Sequence, residues 1–431
     1  MNLVQITPGA GGMYCGNCLR DNALVTELRR QGHQALMVPL YLPLQLDEAD
    51  QSAGTPIFYS GINVYLDQKF PAFRRAPGWL HRLLQSPALL RLAAGRAAKT
   101  RPADVSELTV SMLRGEAGNQ ARELDDLAAW LRSHAKPDVI ILSNALLIGM
   151  GRRLREVTGA KLACTLQGED AFLDGLSEPF RTDAWRLLGE RLREADVIIA
   201  PSRYFARLMA DRTGLPVERI AILPNGINLT GYPAAAGQAR ALPNPPVLGY
   251  FARLNRDKGL DLLVDAFLLL RARGRVPNLR LRAGGSCGPA DEPIVQEQLA
   301  KLRRAGLESA AEFHRNVSRA EKVRFLEGLS VFSVPARYGE AFGLYLVEAL
   351  AAGVPVVQPR TAAFPELVEA SGAGVLYQPD DPAALAEAIE TLLLDSTRLA
   401  RSSAAAVQAA RERFSVEAMA RATLELFAAA A

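Results

Sequence analysis

Short apolar runs recur along this chain, each followed by a glycine- or proline-bearing turn and then by a segment whose apolar positions repeat at helical spacing. The opening "NLVQIT", the helix-like "LRDNALVTELRRQG" and the apolar "QALMVPLYLP" set the rhythm. It returns at "PDVIILSNALLIGMGRRLREVTG", "KLACTLQGED", "ADVIIAPSRYFARLMADRTG" and "IAILPNGI". Strands that are apolar throughout, alternating with helices, predict a parallel sheet covered on both faces. At 232–246 the pattern lapses into "YPAAAGQARALPNPP", poor in bulky apolar residues and rich in proline, which reads as a linker. A second series follows, from "PVLGYFARL" through "LRLRAGGS", "VFSVPARYGE" and "VPVVQP" to "DPAALAEAIETLLLD".

The expected fold is α/β, with two Rossmann-like doubly wound domains facing a central cleft. Their expected limits are 1–231 and 247–411. The closing stretch 412–431, "SVEAMARATLELFAAAA" at its core, reads as a helix packing back on the first domain. Residues 45–121 break the rhythm and read as an irregular insertion. Within it, 69–101 carries eight basic residues and no acid, interleaved with Phe70, Phe73, Trp79 and several leucines. A capping subdomain with a solvated basic face accounts for this, with peripheral contact to an anionic membrane as the rival reading.

Composition narrows the function. At 431 residues, with 49% hydrophobic and 22% charged, the chain suits a globular protein with more than one core. A formal net charge of +4 gives no argument for nucleic acid. Four scattered cysteines form no disulfide framework. With no signal-like segment ahead of the first strand, the expected location is the cytoplasm, with the inner membrane face as the site of any peripheral contact. Nowhere do about 18 consecutive apolar residues occur, so no spanning helix is expected.

Several motifs fall away on inspection. "DEAD" at Asp47 to Asp50 has no phosphate-loop companion. The first glycine loop lacks the dinucleotide fingerprint, because Tyr14 stands where its third glycine would be. Cys15 and Cys18 form a C-x-x-C ahead of a helix, which could be a redox pair, but small buried side chains lining a loop explain them as well. The four histidines sit at no ligand spacing, so neither a metal nor a cofactor is expected.

The informative stretch is "ARYGEAFGLYLVEALAAGVPVVQP", which carries Glu340 and Glu348. In one continuous helix they would stand about 12 Å apart and point roughly 80° away from each other. Gly339 and Gly343 argue instead for a helix starting near Gly343 and stopping at Gly353, with Glu340 in the loop before it. The amides at Phe342, Gly343 and Leu344 could then hold a diphosphate at the positive helix end. Two carboxylates tolerate a phosphate nearby if they accept hydrogen bonds from neutral hydroxyls, and sugars supply those. "GYFARLNRDKGL" adds Arg253 and Lys258 in a strand-to-helix loop, the pairing for a diphosphate leaving group without a metal. "RAGGS" brings Gly285 to a further strand end, a close approach suited to a nucleotide.

Taken in order, "APS", "LPNGI", "ARLNRDKG", "EAFGL" with its paired glutamates, and "EALAAGVPVV" resemble the family-four group of retaining glycosyltransferases with the GT-B fold. The resemblance spans nearly the whole chain outside 45–121. It implies a nucleotide-sugar donor (UDP-, GDP- or ADP-) held mainly by the second domain, and a saccharide, lipid or small-molecule acceptor held mainly by the first. It assigns ribose binding to Glu348, the transferred hexose to Glu340, and the departing diphosphate to Arg253 and Lys258. It sets Gly11 and Gly12 across from the diphosphate, and Asn316 and Val317 near the base. Gln167 stands where the family commonly has histidine, so a mechanism needing a histidine base is not open to this chain. Tyr14, Asn17, Asp21, Gln167, Glu169 and Asp170 are the acceptor-side candidates. The rival functions are a sugar-nucleotide epimerase or phosphorylase, or a non-catalytic sugar-nucleotide binder.

Overall fold

A computed structural model describes residues 1–9, 16–42, 44, 46, 48–59, 64, 66, 68, 102–233 and 242–429. The chain divides into two compact units, Met1–Pro224 with Met419–Ala431, and Asn225–Ala418.

Six parallel strands form the first unit's sheet: β1 (Asn2–Thr7), β2 (Gln34–Pro39), β3 (Val139–Leu142), β4 (Lys161–Thr165), β5 (Val197–Ala200) and β6 (Ile220–Ile222), in the order β2-β1-β3-β4-β5-β6. All four residues of β3 are buried, as a central strand sandwiched between helices requires. The order reverses between β1 and β3, which makes the carboxyl ends of these two strands the natural ligand crevice of this unit.

The second unit repeats the plan with β7 (Val247–Phe251), β8 (Arg280–Gly285), β9 (Ala311–Arg315), β10 (Val331–Phe332), β11 (Val356–Pro359) and β12 (Gly374–Tyr377), in the order β12-β11-β10-β7-β8-β9. Its core is one continuous cluster in which Leu248, Tyr250, Phe267, Phe332 and Val356 are essentially solvent-free. The reversal here lies between β7 and β10. Loops leaving those two strands are therefore where chemistry is expected.

Two expectations change. The stretch expected to be irregular up to 121 is helical from Pro102: a 3₁₀ turn Pro102–Val105 leads into helices Ser106–Arg114 and Ala121–Trp130. Val110, Leu113, Leu124 and Leu127 are buried in these helices, so they belong to the first unit's core. The polar intervening residues had hidden that periodicity. The units also part after Pro224, ahead of 232. The residues from 225 onward are tied to the far end of their own unit: the Ile227 amide donates to the Phe414 carbonyl at 2.9 Å, the Val416 amide returns a bond to Ile227 at 2.9 Å, and Tyr232 is buried in the second core. The closing helix, Val416–Ala429, groups with the first unit from Met419 onward. The basic stretch 69–101 lies outside the described residues.

Candidate functional site in the second unit

The loop after β7 carries Arg253 and Lys258, and the loop after β10 carries Glu340. These are the two strands flanking the reversal of strand order. A backbone bond joins the two loops, Arg337 donating to the Asp257 carbonyl at 2.9 Å, and Leu254 ties the first of them to the loop after β8 by donating to the Ser286 carbonyl at 2.9 Å. Gly259 closes the first loop at φ 73°, where a Cβ would lie 2.0 Å from the Pro335 carbonyl oxygen. The chain turns there into helix Leu260–Arg273.

Lys258 is the centre of this arrangement. Its ammonium forms an ion pair with the Glu340 carboxylate and stands 4.6 Å from the Tyr338 ring centre and 5.1 Å from that of Tyr345. Both charged side chains are largely withdrawn from solvent, at 17% and 10% exposure. An ammonium between two aromatic faces and a carboxylate is held in one place, at a stabilisation of about 1 kcal/mol per ring when partly desolvated. Burial, and then the Glu340 charge, raise the phenol pKa values of Tyr338 and Tyr345. Both rings stay neutral.

Glu348 lies in helix Leu344–Ala351, which starts after Gly343 at φ 98° as the glycine spacing predicts. Lys322, only 4% exposed, reaches its carboxylate at 2.7 Å. Lys322 belongs to helix Arg319–Glu327, which opens on a capping box: Ser318 accepts from the Glu321 amide, and Glu321 accepts from Ser318. Substituting Ser318→Ala is expected to cost about 1 kcal/mol, read by chemical unfolding.

Arg253 extends into solvent at 55% exposure while its Nε donates to both oxygens of Asp291 at 3.0 Å. Phe342 is buried against Phe414, and the amides of Phe342 and Gly343 meet no acceptor among the described residues. Gly285 ends β8 at φ 134°, with room for no side chain. Its carbonyl accepts from the Asn316 amide at 2.9 Å. Asn316 in turn bridges the Cys287 backbone, accepting at 2.9 Å and donating at 3.0 Å. Asn316 is exposed and Val317 half-buried beside it.

In the first unit, Gly11, Gly12, Tyr14 and Cys15 lie outside the described residues. Asn17 is half-buried in the first turn of helix Gly16–Arg30. Asp21 is fully buried and takes a 2.9 Å bond from Arg20 Nε, while Arg20 also reaches the Ser143 carbonyl just beyond β3 and the Thr165 hydroxyl at the end of β4. Glu169 is buried, and its oxygens accept the Ala145 and Gln167 amides at 2.7–2.9 Å, so it clamps the turns after β3 and β4. Its pKa is nevertheless raised, because burial outweighs those amide bonds. Burial likewise raises Asp170, at the start of helix Asp170–Asp174. Cys18 is buried with the Thr7 hydroxyl 3.8 Å from its sulfur, an environment of packing.

Sequence reading missed Lys322, Asp291, Tyr338, Tyr345 and Arg20. Only Tyr345 left a signal, as an aromatic residue within the aliphatic "GLYLVEAL".

Residues 236–413 match the family described as Glycosyl transferases group 1, and residues 104–230 match Glycosyltransferase Family 4. A D-inositol 3-phosphate glycosyltransferase of Streptomyces scabiei is 27% identical over 84% of this chain and 79% of its own length. A glycogen synthase of Mycobacterium tuberculosis is 30% identical, but there the chain spans only 55% of its relative, over 56% of itself. HepE of Anabaena, solved in complex with UDP, superposes with a TM-score of 0.67 at 18% identity over the full length of both chains. The same protein has been solved with UDP-glucose. The shared architecture is GT-B.

Proposed function

From the premise that the chain belongs to the group 1 glycosyltransferases, we propose that it moves a hexose from a nucleoside diphosphate sugar to a saccharide, lipid or small-molecule acceptor, with retention of configuration and without a metal ion. The observation that carries this reading is the meeting of Lys258 and Glu340 on the loops flanking the β7/β10 reversal. One group suits an anionic leaving group and the other a hydroxylated sugar. That a structural neighbour binds UDP-glucose supports a uridine nucleotide as the first donor to test.

In this reading Glu348, fixed by Lys322, accepts hydrogen bonds from the ribose hydroxyls. Glu340 accepts from a hydroxyl of the hexose. The bond between the anomeric carbon and the diphosphate oxygen breaks while the acceptor oxygen bonds to the same face of that carbon. The acceptor's proton passes to the departing diphosphate, so no protein base is needed and Gln167 is no obstacle. Charge grows on the diphosphate as the bond breaks, and Lys258, Arg253 and the amides of Phe342 and Gly343, which meet no acceptor among the described residues, would stabilise it. The two cations take the role a metal would otherwise fill.

The test uses the full chain with UDP-, GDP- and ADP-glucose and an acceptor panel, in the presence of EDTA. Nucleoside diphosphate release and an α-linked product by NMR are expected from an α-linked donor. An isomerised sugar nucleotide without diphosphate release would identify an epimerase, and dependence on inorganic phosphate a phosphorylase. Loss of all activity to EDTA, restored by a divalent cation, would refute metal independence.

A further inference from the structure

Asp291 occupies the position before helix Glu292–Arg304, where an aspartate ordinarily accepts a bond from a first-turn amide. Here it makes no such bond. Its carboxylate is turned the other way: both oxygens receive Arg253 Nε at 3.0 Å, and Oδ2 also accepts the Gly288 amide at 2.9 Å. The two partners differ sharply in exposure, 7% for Asp291 and 55% for Arg253. A pair with one member this exposed adds little to stability. The usual capping contribution has been given up for it.

The geometry also divides the guanidinium. Asp291 engages the inner nitrogen, Nε, and no other carboxylate approaches Arg253 among the described residues. The two outer nitrogens have no partner among the described residues, and with the side chain 55% exposed they remain available as a fork. A guanidinium fork matches a phosphate in a two-bond, planar contact only if the plane is fixed, and a free arginine side chain loses rotamer entropy on being fixed. We propose that Asp291 is a positioning residue that pre-orients Arg253 toward the diphosphate of the donor. This rests on the reading of Arg253 as a diphosphate ligand. Asp291 touches no donor atom itself; it sets the plane and direction of the group that does.

The inference predicts a dependence of one residue on the other. With UDP-glucose as donor, or whichever of the GDP- and ADP-sugars the wild-type chain consumes, Asp291→Ala is expected to lower kcat about 10- to 30-fold, with a smaller rise in KM, because the misplaced fork fails most where charge develops. Asp291→Asn keeps an acceptor oxygen for Nε and is expected to recover activity to within about 3-fold of wild type. In an Arg253→Ala background, Asp291→Ala is expected to change activity by less than about 2-fold, since nothing remains to be positioned. Thermal unfolding of each variant separates this from a folding effect. Penalties that multiply in the double variant, or an Asp291→Ala enzyme as active as wild type beside an impaired Arg253→Ala, would overturn the positioning role alone. A fully active Arg253→Ala, or a chain that consumes no sugar nucleotide, would overturn the parent reading with it.

Discussion

Replacing Lys258 with alanine is expected to lower kcat with a sugar nucleotide by about 100- to 1000-fold, the scale of removing one preorganised charge from a developing oxyanion. The effect has two sources. The ammonium that would meet the diphosphate is gone, and Glu340, 10% exposed, loses its counter-charge and is left as a carboxylate facing an anionic substrate. The second source also reaches stability: an unpaired, largely buried carboxylate should cost about 2 kcal/mol, between the limits for exposed and fully buried pairs. The two consequences can be separated. In a Lys258→Ala, Glu340→Gln double variant the unfolding midpoint should return toward wild type while activity stays lost. Lys258→Arg should recover only part of the rate, because the slot between Tyr338 and Tyr345 holds a compact ammonium and a guanidinium is broader. Recovery of activity in the double variant would show that Lys258 serves only to neutralise Glu340.

What the sequence reveals about such a site is uneven, for physical reasons. The most apolar strands of both sheets announce themselves, because a strand buried on both faces favours apolar residues on both, and "VIIL", "VIIA" and "VLGYF" are read directly. The sheet's margins are harder. β9, "AEFHR", lies at the edge beside β8 and mixes charge with aromatic positions; β12, "GVLY", is the opposite edge and short. Neither stands out from a loop, and the helix between β8 and β9 is passed over with them.

The site divides in the same way. Glycine and charge spacing single out Arg253, Lys258 and Glu340, which sit in loops where few other demands act on the sequence. The residues that hold them are invisible there. Lys322 reads as one charge among several in "RAEKVRFLE", and only the fold carries it 26 positions onward to Glu348. Asp291 stands just before a helix, and only the fold turns its carboxylate to Arg253. A charged residue's sequence neighbours say what it could do locally. Its partner across the fold decides which of those things it does.

Gly285→Ala provides the sharpest contrast between a residue that meets a ligand and one that permits the site to exist. The glycine stands at φ 134°, a backbone conformation that residues with a Cβ rarely adopt, and an added Cβ would lie 1.9 Å from the Ala252 carbonyl oxygen. Neither party can yield cheaply. Gly285 is the last residue of β8 and receives the Asn316 amide, while Ala252 donates to the Gly284 carbonyl at 3.1 Å as β7 ends. Backbone strain and overpacking together should cost about 3 kcal/mol, which lowers the unfolding midpoint by about 6–12 °C for a unit of this size. Activity should fall as well, because relieving the clash pushes the start of the Arg253 loop away from β8. That loss would appear with every sugar nucleotide alike, and shortened substrates should not restore it. A Gly285→Ala chain with an unchanged midpoint but selectively weakened nucleotide binding would mean that the glycine makes room for the ligand and that the β7 loop has slack to absorb a methyl group.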